Sequence, residues 1–91
     1  MERIEKSSMK KREIISTLQD RIAKDILNIP EKIISTEEPL ISSGLIDSFS
    51  LVDLAMLVED VFKVRIDDTE LNSDVFDSLD QLADLIISRI Q

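Results

Sequence analysis

The chain has 91 residues, a length that predicts one domain over residues 1–91, and its hydrophobic content of 43% is that of an ordinary globular protein. It contains no Cys and no His, which excludes disulfides, zinc sites with Cys or His ligands and a Ser-His-Asp triad, so we do not expect an enzyme. The net charge of −8 argues against binding to nucleic acid, which requires a basic surface.

The charge is unevenly distributed along the chain. Residues 1–28 hold seven Lys or Arg against five Asp or Glu, whereas residues 29–91 hold four against fourteen and so carry a charge of −10. The larger part should expose a negative surface, for which a basic partner is the complement. A negative surface that serves solubility alone is the alternative.

The sequence shows no pattern typical of a membrane span or a signal peptide. The longest apolar run is Leu54–Val58, far short of the roughly 20 residues that a spanning helix requires. The amino-terminal residues lack the apolar core of a signal peptide. We therefore expect a soluble, cytoplasmic protein.

The first predicted element is an amphipathic helix over Lys10–Asn28, in which apolar residues recur at steps of three and four. The apolar positions of this pattern are Ile14, Ile15, Leu18, Ile22, Ile26 and Ile29. Ser7 or Ser8 is placed to cap the start of the helix, and Pro30 should end it because the residue before a proline avoids helical angles. Residues 1–7 lack this periodicity and are expected to fray.

A long connection follows from residue 29 to residue 47, and it holds both prolines and the only glycine, Gly44. Six of its apolar residues are Ile33, Ile34, Leu40, Ile41, Leu45 and Ile46. A connection this apolar must bury part of its surface. We predict an ordered loop that crosses the helices and contains at most one short helical turn.

The second predicted helix spans Ser48–Phe62 and has two apolar faces. Its core stripe is Leu51, Leu54, Ala55, Val58, Val61 and Phe62. A second set consists of Phe49, Val52 and Met56, and the acids around it are Asp47, Asp53, Glu59 and Asp60. A domain of this size cannot easily bury a helix on all sides, so the second set predicts a partly exposed docking face. Alternatively, Phe49 and Val52 cover the loop and the acids are solvated.

The rest of the chain predicts an extended link at Val64–Ile66, a short helix that begins at Asp67 or Asp68, and a last helix after Ser78. The short helix should turn Leu71, Val75 and Phe76 inward. The last helix has Leu79, Leu82, Leu85, Ile86 and Ile90 on one face. The predicted fold class is therefore all-α: an antiparallel four-helix bundle of three long helices and one short helix, with a long ordered loop between helices one and two.

The acid-rich segment that starts at Asp67 invites comparison with a calcium-binding loop. An EF-hand loop requires Gly at its sixth position and Glu at its twelfth, where this sequence has Asn72 and Ser78. The pattern argues against an EF-hand and leaves only loose binding of divalent ions to clustered acids.

Two serines, Ser48 and Ser78, follow an aspartate at the start of a predicted helix. Ser78 has Gln81 three residues later, which is the pattern of a capping box, and a capping role accounts for it fully. Ser48 has Leu51 at that position, so it has no reciprocal cap.

The Ser48 hydroxyl is a weak nucleophile without a base, and the chain has no His to activate it. Any reaction at this serine must therefore be catalysed by another protein. A phosphate ester suits a serine at the amino end of a helix, where the N–H groups and the helix dipole favour an anion. Ser48 is thus a candidate for a modified carrier or for a regulated phosphorylation site.

The stretch DSFSLVDLAMLVEDVFKVRIDDTEL, which begins at Asp47, resembles the signature of the acyl carrier protein family. The resemblance covers residues 10–90 in helix order and spacing and is most specific over residues 44–70. It implies that Ser48, with Asp47 before it, carries a 4′-phosphopantetheine arm that a phosphopantetheinyl transferase attaches from coenzyme A. The thiol of this arm would hold acyl intermediates as thioesters for partner enzymes in fatty-acid, polyketide or specialised lipid synthesis. The chain itself would be a substrate of enzymes.

The resemblance also implies how partners dock, because the acidic helix Ser48–Phe62 falls on the docking helix of the family. The implied docking residues are Phe49, Val52, Asp53, Met56, Glu59 and Asp60. The implied partners are the transferase, an acyl- or aminoacyl-loading ligase, and synthases and transferases with basic docking patches. A monomer without a metal ion is expected.

Two departures bear on the cargo of such a carrier. Gly44 lies one residue further from Asp47 than in the Gly-x-Asp-Ser of many fatty-acid carriers, and Ser50 stands where an acid is common. The resulting GLIDSF form resembles free-standing carriers of specialised pathways, so an aminoacyl, D-alanyl or peptidyl carrier is the alternative. An unmodified acidic helical adaptor that binds a basic partner is the alternative from another class.

Overall fold

A computed structural model describes residues 10–90, which contain three α-helices. We label them α1 (Lys11–Arg21), α2 (Ser48–Phe62) and α3 (Leu79–Ile90). The described residues contain no strand, so the predicted all-α class is confirmed, and none of their helices is long and apolar enough to cross a membrane. The cap expected at Ser7 or Ser8 and the expected fraying of residues 1–7 lie outside the described part of the chain.

The first helix starts within one residue of its predicted position but does not continue as a regular α-helix. After α1 the chain winds as a π-helix over Ile22–Ile26. The N–H of Leu27 donates to the carbonyl five residues back, at a distance of 2.9 Å. The wider turn keeps Ile22 and Ala23 in the core, whereas Ile26 is only half-buried.

This helical segment ends before Pro30, at a left-handed residue. Asn28 has a φ angle of 58°, a conformation that Asn tolerates better than most residues. The following N–H, from Ile29, donates to the carbonyl of Ala23 at 2.8 Å and closes the end of the helix. The sequence pattern had predicted that Pro30 ends the helix. In the structure Asn28 and the bond from Ile29 already end it before the proline.

α2 has the predicted bounds, because a side-chain cap starts it and a left-handed residue ends it. The carboxylate of Asp47 accepts a hydrogen bond from the Ser50 N–H at 2.8 Å and caps the first turn. At the other end Lys63 is left-handed, with a φ angle of 60°, and its N–H donates to the carbonyl of Glu59 at 2.9 Å.

The predicted short third helix is replaced by a single 3-10 turn over Asp68–Glu70. The Asn72 side chain accounts for the difference, because it donates to the Thr69 carbonyl and accepts from the Asp74 N–H, both at 2.9 Å. Side-chain bonds of this kind compete with the backbone bonds of a helix.

The inward packing predicted for this segment is only partly observed. Phe76 is fully buried and Leu71 is half-buried, but Val75 is 38% exposed, contrary to the prediction. Without a regular helix, the three residues do not share one face. In residues 10–90 no three His, Cys, Asp or Glu side chains come together in a way that could hold a metal ion.

The predicted capping role of Ser78 is confirmed at the start of α3. The Ser78 hydroxyl accepts a hydrogen bond from the Gln81 N–H at 3.2 Å. The Gln81 side chain reaches back to the N–H of Asp77, at 2.7 Å, and not to the N–H of Ser78 itself. The cap is therefore reciprocal, with one half shifted by one residue.

The predicted antiparallel arrangement is wrong for α2 and α3, which run in the same direction. Near their starts, the N–H of Leu40 donates to the Asp77 carbonyl at 2.7 Å, and the N–H of Ile46 donates back to the Leu40 carbonyl at 2.9 Å. Near their ends, the Arg89 guanidinium donates to the Arg65 carbonyl at 3.0 Å. Short loops force neighbouring helices to be antiparallel, but the connections here are long enough to return the chain to the same end.

The core is aliphatic and draws on the connections as well as on the helices. The connection between the first two helices contributes Ile34, Leu40 and Ile46, each no more than 1% exposed, as its apolar composition predicted. Ile33 is the exception, since 85% of its surface is exposed. In α2 the predicted core stripe is largely buried, and Leu57 joins it.

Asp77 fixes the first connection to the start of α3. One carboxylate oxygen accepts from the N–H groups of Ile41 and Ser42, at 2.7 and 2.9 Å, and the other accepts from the Ser42 hydroxyl. The Ser42 hydroxyl and N–H together lower the pKa of Asp77 below its ordinary value, because they favour the charged form.

Glu70 fixes the second connection to the end of α3. Its carboxylate forms a two-pronged ion pair with Arg89, in which one of the N–H groups donates at 2.8 Å. The Glu70 carboxylate also accepts from the Asp67 N–H at 2.9 Å. The Arg89 guanidinium, followed by the Asp67 N–H, lowers the pKa of Glu70 to about 2.

We predict that Asp77→Ala destabilises the fold. The substitution removes the acceptor of three hydrogen bonds and should lower the free energy of unfolding by about 1–2 kcal/mol. Urea unfolding followed by circular dichroism measures this loss. Asp74→Ala is the matched control, since Asp74 is an exposed acid of the same chain segment and only its backbone N–H is hydrogen-bonded. Equal midpoints for the two variants would contradict an anchoring role for Asp77.

We also predict that the Glu70 ion pair makes the free energy of unfolding depend on pH in the acidic range. The folded-state pKa of about 2 lies below the ordinary value of 4.5, so the unfolded chain takes up the proton first as the pH falls. The stabilisation is complete above about pH 4.5 and is lost between that pH and about pH 2. Urea midpoints measured from pH 7 to pH 3 should fall less for Glu70→Gln than for the wild type, whereas Glu31→Gln should follow the wild type.

Candidate modification site and docking face

Ser48 is the first residue of α2 and its side chain is exposed. Its hydroxyl has no hydrogen-bond partner among residues 10–90, whereas two serines in the connection before α2 use theirs. The Ser42 hydroxyl donates to Asp77, and the Ser43 hydroxyl donates to the Pro39 carbonyl at 2.6 Å. The Ser48 hydroxyl is therefore open to chemistry carried out by another protein.

Asp47 occupies the position that the helix dipole makes favourable for an anion. Its carboxylate accepts from the backbone N–H of Ser50 at 2.8 Å. This bond, followed by one from the Ser50 hydroxyl, lowers the pKa of Asp47 below its ordinary value. We expected the first turn of α2 to favour a phosphate on Ser48. In the structure the Ser50 N–H already donates to the carboxylate of Asp47. A phosphate on Ser48 would therefore lie next to this carboxylate.

Ser78 differs from Ser48 in its exposure, in the hydrogen bond of its hydroxyl and in the helix that follows it. It is half-buried, and its hydroxyl accepts the Gln81 N–H that caps α3. It precedes the last helix of the described chain, which has no exposed large apolar residue. The two serines therefore look alike in sequence but only Ser48 combines an open hydroxyl with an apolar outer face.

Gly44 lies in the turn that leads into Asp47 and has a φ angle of 82°. A side chain at this position would meet no atom within 4 Å, so the backbone conformation and not the available space favours glycine there. The N–H of Gly44 donates to the Ile41 carbonyl at 3.0 Å, next to the residues that Asp77 holds. The offset glycine thus belongs to the anchored turn before α2.

The six predicted docking residues are all exposed on α2. The apolar ones, Phe49, Val52 and Met56, are 85%, 51% and 63% exposed. The alternative that these side chains cover the loop is therefore wrong. The acids Asp53, Glu59 and Asp60 are exposed as well. An exposed apolar set with acids around it is the surface expected of a helix that binds a partner with apolar and basic groups.

The structure adds residues of the first helix to this surface. A groove of about 700 Å³ separates α2 from the π-helical turn, and it is lined by Arg21, Asp25 and Ile26 on one side and by Asp53, Met56, Leu57, Glu59, Asp60 and Lys63 on the other. The sequence pattern did not single out Asp25 or Ile26 as site residues. Ile26 packs against the core, as its place in the predicted apolar stripe implied, but it is half-buried and also lines the groove.

The family model described as "Phosphopantetheine attachment site" matches residues 16–86, which is most of the chain and includes the whole of α2. No curated protein and no solved structure matches the chain. The family consists of carriers to which 4′-phosphopantetheine is covalently attached and on which other enzymes act. The match supports a carrier over the alternative of an unmodified adaptor. The chain therefore belongs to the family of proteins that bear a phosphopantetheine attachment site.

Proposed function

We propose that this protein is an acyl carrier protein and that Ser48 is its attachment site. The thiol of the attached arm holds acyl intermediates as thioesters for enzymes of fatty-acid, polyketide or specialised lipid synthesis. The observation that supports this assignment best is the open hydroxyl of Ser48, which lies at the start of the exposed acidic helix. The rival serine in the matched range, Ser78, uses its hydroxyl as a helix cap.

The attachment step uses Ser48 as the nucleophile. Its hydroxyl oxygen attacks the phosphorus of coenzyme A that bears the pantetheine. A phosphate ester to Ser48 forms, the bond to the nucleotide part of coenzyme A breaks, and the nucleotide leaves with a terminal phosphate. The proton of the hydroxyl goes to a base of the transferase, because the chain itself has no His.

Asp47 supports this step as a fixed negative charge beside the nucleophile. Its exposed carboxylate is held by the Ser50 N–H and, like an ordinary aspartate, is ionised at neutral pH. A carboxylate in this place attracts a cationic group of the transferase and orients that enzyme on Ser48. Asp47 thus acts as a binding residue, while the chemistry takes place on the neighbouring hydroxyl.

Partners dock on the outer face of α2. The apolar side chains Phe49, Val52 and Met56 supply the contact area, and the acids Asp53, Glu59 and Asp60 attract basic patches. These partners are the transferase, the ligase that loads the arm, and the synthases and transferases that use the cargo. Several different enzymes share one face, and Met56 suits such a face because its flexible side chain adapts to different partners.

The spacing of Gly44 favours a second candidate cargo, an amino acid or peptide in place of an acyl chain. Intact mass spectrometry of the protein purified from its native cell shows the arm and its cargo in one measurement. We expect the mass of an acyl group on the arm. The mass of an aminoacyl group would replace the acyl proposal by the aminoacyl one and leave Ser48 as the attachment site.

The attachment site is tested by incubation with coenzyme A, magnesium and a broad-specificity phosphopantetheinyl transferase. We expect intact mass spectrometry to show the gain of one arm in the wild type and no gain in Ser48→Ala. Ser78→Ala should gain the arm but lose about 1 kcal/mol of stability with its helix cap. A missing gain in the wild type, or a gain that persists in Ser48→Ala, would contradict the proposal.

The docking role of the acids is tested by charge reversal. Asp53→Lys and Glu59→Lys should each lower kcat/KM of arm transfer roughly three- to tenfold, because a basic partner then meets a like charge. The difference should shrink as salt is added, since exposed charges are screened over about 8 Å at physiological ionic strength. Asp74→Lys is the matched control with the same charge change in a different segment. If all three variants behave alike, the acids of α2 have no special role.

A further inference from the structure

The groove between α2 and the π-helical turn combines an apolar floor with an excess of negative charge. Ile26, Met56 and Leu57 supply apolar surface. The charged lining residues are four acids and two bases: Asp25, Asp53, Glu59, Asp60, Arg21 and Lys63. The groove thus carries a charge of −2. The Arg21 guanidinium lies 2.8 Å from the Asp25 carboxylate, so these two lining residues pair with each other and leave three acids against one base, Lys63.

The chemistry of the lining defines what fits. A long cationic side chain can lay its aliphatic stem on Met56 and Ile26 and place its charged end among the acids. An anionic group would be repelled by the net charge, and a purely apolar group would leave the carboxylates without a partner. Arginine or lysine of a partner protein is therefore the occupant that the groove favours.

The groove also lies within the area that a partner bound at Ser48 and along α2 would cover. Along the axis of α2, Asp60 is about 18 Å from Ser48, and Asp53 is about 8 Å from it, at 1.5 Å per residue. An interface of ordinary size covers about 800 Å² on each partner, which corresponds to a patch roughly 30 Å across. An enzyme that reaches Ser48 and covers the outer face of α2 therefore extends over the groove.

We propose that this groove is a second docking point for the phosphopantetheinyl transferase, in which Asp25 and Ile26 of the π-helical turn form the wall opposite α2 and an arginine or lysine of the enzyme is bound between them. The inference rests on the proposed function of Ser48 and extends the docking surface from α2 to the first helix. The π turn lies at this wall, and its last residue, Ile26, is half-buried: it packs against the core and also lines the groove.

Two neighbouring acids of the first helix provide a matched test. Asp25 pairs with Arg21 and lines the groove, whereas Asp20 pairs with Lys24 and does not. Both pairs join residues four apart, and both carboxylates are about half-exposed, at 47% and 55%. Asp25→Asn and Asp20→Asn therefore remove the same charge and the same kind of ion pair.

Arm transfer by a broad-specificity transferase is measured for both variants. We expect Asp25→Asn to raise KM for the carrier about two- to fivefold with little change in kcat, as for the loss of one exposed ion pair with a partner. Asp20→Asn should match the wild type, and the difference should vanish at high salt. Equal KM values for the two variants would overturn the inference while arm transfer to Ser48 continues. Absence of transfer to every variant would instead contradict the proposed function.

A binding measurement separates docking from an effect on folding. The transferase is added without coenzyme A to the ¹⁵N-labelled carrier, and amide signals are followed by NMR. We expect the signals of residues 22–26 to shift or broaden together with those of α2, whereas those of residues 12–16 stay unchanged. If only the signals of α2 respond, the transferase does not use the wall formed by the π turn, and the inference is wrong.

Discussion

The hydrogen bonds between the Asp77 carboxylate and the N–H groups of Ile41 and Ser42 join parts of the chain that are 36 and 35 residues apart. The geometry of the candidate site depends on them. They hold the first connection against the start of α3, and the bond from Ile46 to Leu40 brings the start of α2 to the same place. Asp77 and these backbone bonds therefore position Ser48 relative to the rest of the molecule, together with the buried residues Ile46, Leu51 and Leu54.

A second carboxylate, that of Glu70, is the corresponding anchor at the other end of α2 and α3. Its ion pair with Arg89 and the bond from Arg89 to the Arg65 carbonyl hold the segment after α2 against the end of α3. α2 is thus fixed at both ends by anchors that do not use its outer face. Phe49, Val52 and Met56 therefore stay exposed. Exposed apolar side chains lower the stability of an isolated domain, but they give a carrier a surface on which partners can bind.

Much of the candidate site could be predicted from the sequence, because it lies on one helix whose signals are local. The apolar and acidic periods of α2 and the contrast between Ser48 and Ser78 follow from residues within a few positions of one another. The wall that Asp25 and Ile26 add to the docking face could not be predicted. An apolar residue at helical spacing is interpreted as core, and only the packing of the first helix against α2 shows that Ile26 contacts the core and also lines a groove.

The all-α class, the bounds of α2 and the capping role of Ser78 were predicted correctly from the sequence, since each depends on local hydrogen bonds and on the helical period. The same local patterns singled out Ser48 as the candidate for modification. The parallel direction of α2 and α3 and the π turn after α1 were found only in the folded structure, whereas the short third helix is reduced to one turn by the local bonds of Asn72. The arrangement of α2 and α3 is set by Asp77 near their starts and by Glu70 and Arg89 near their ends. The bonds of Asp77, Glu70 and Arg89 link residues 19 to 36 positions apart, beyond the reach of any local pattern.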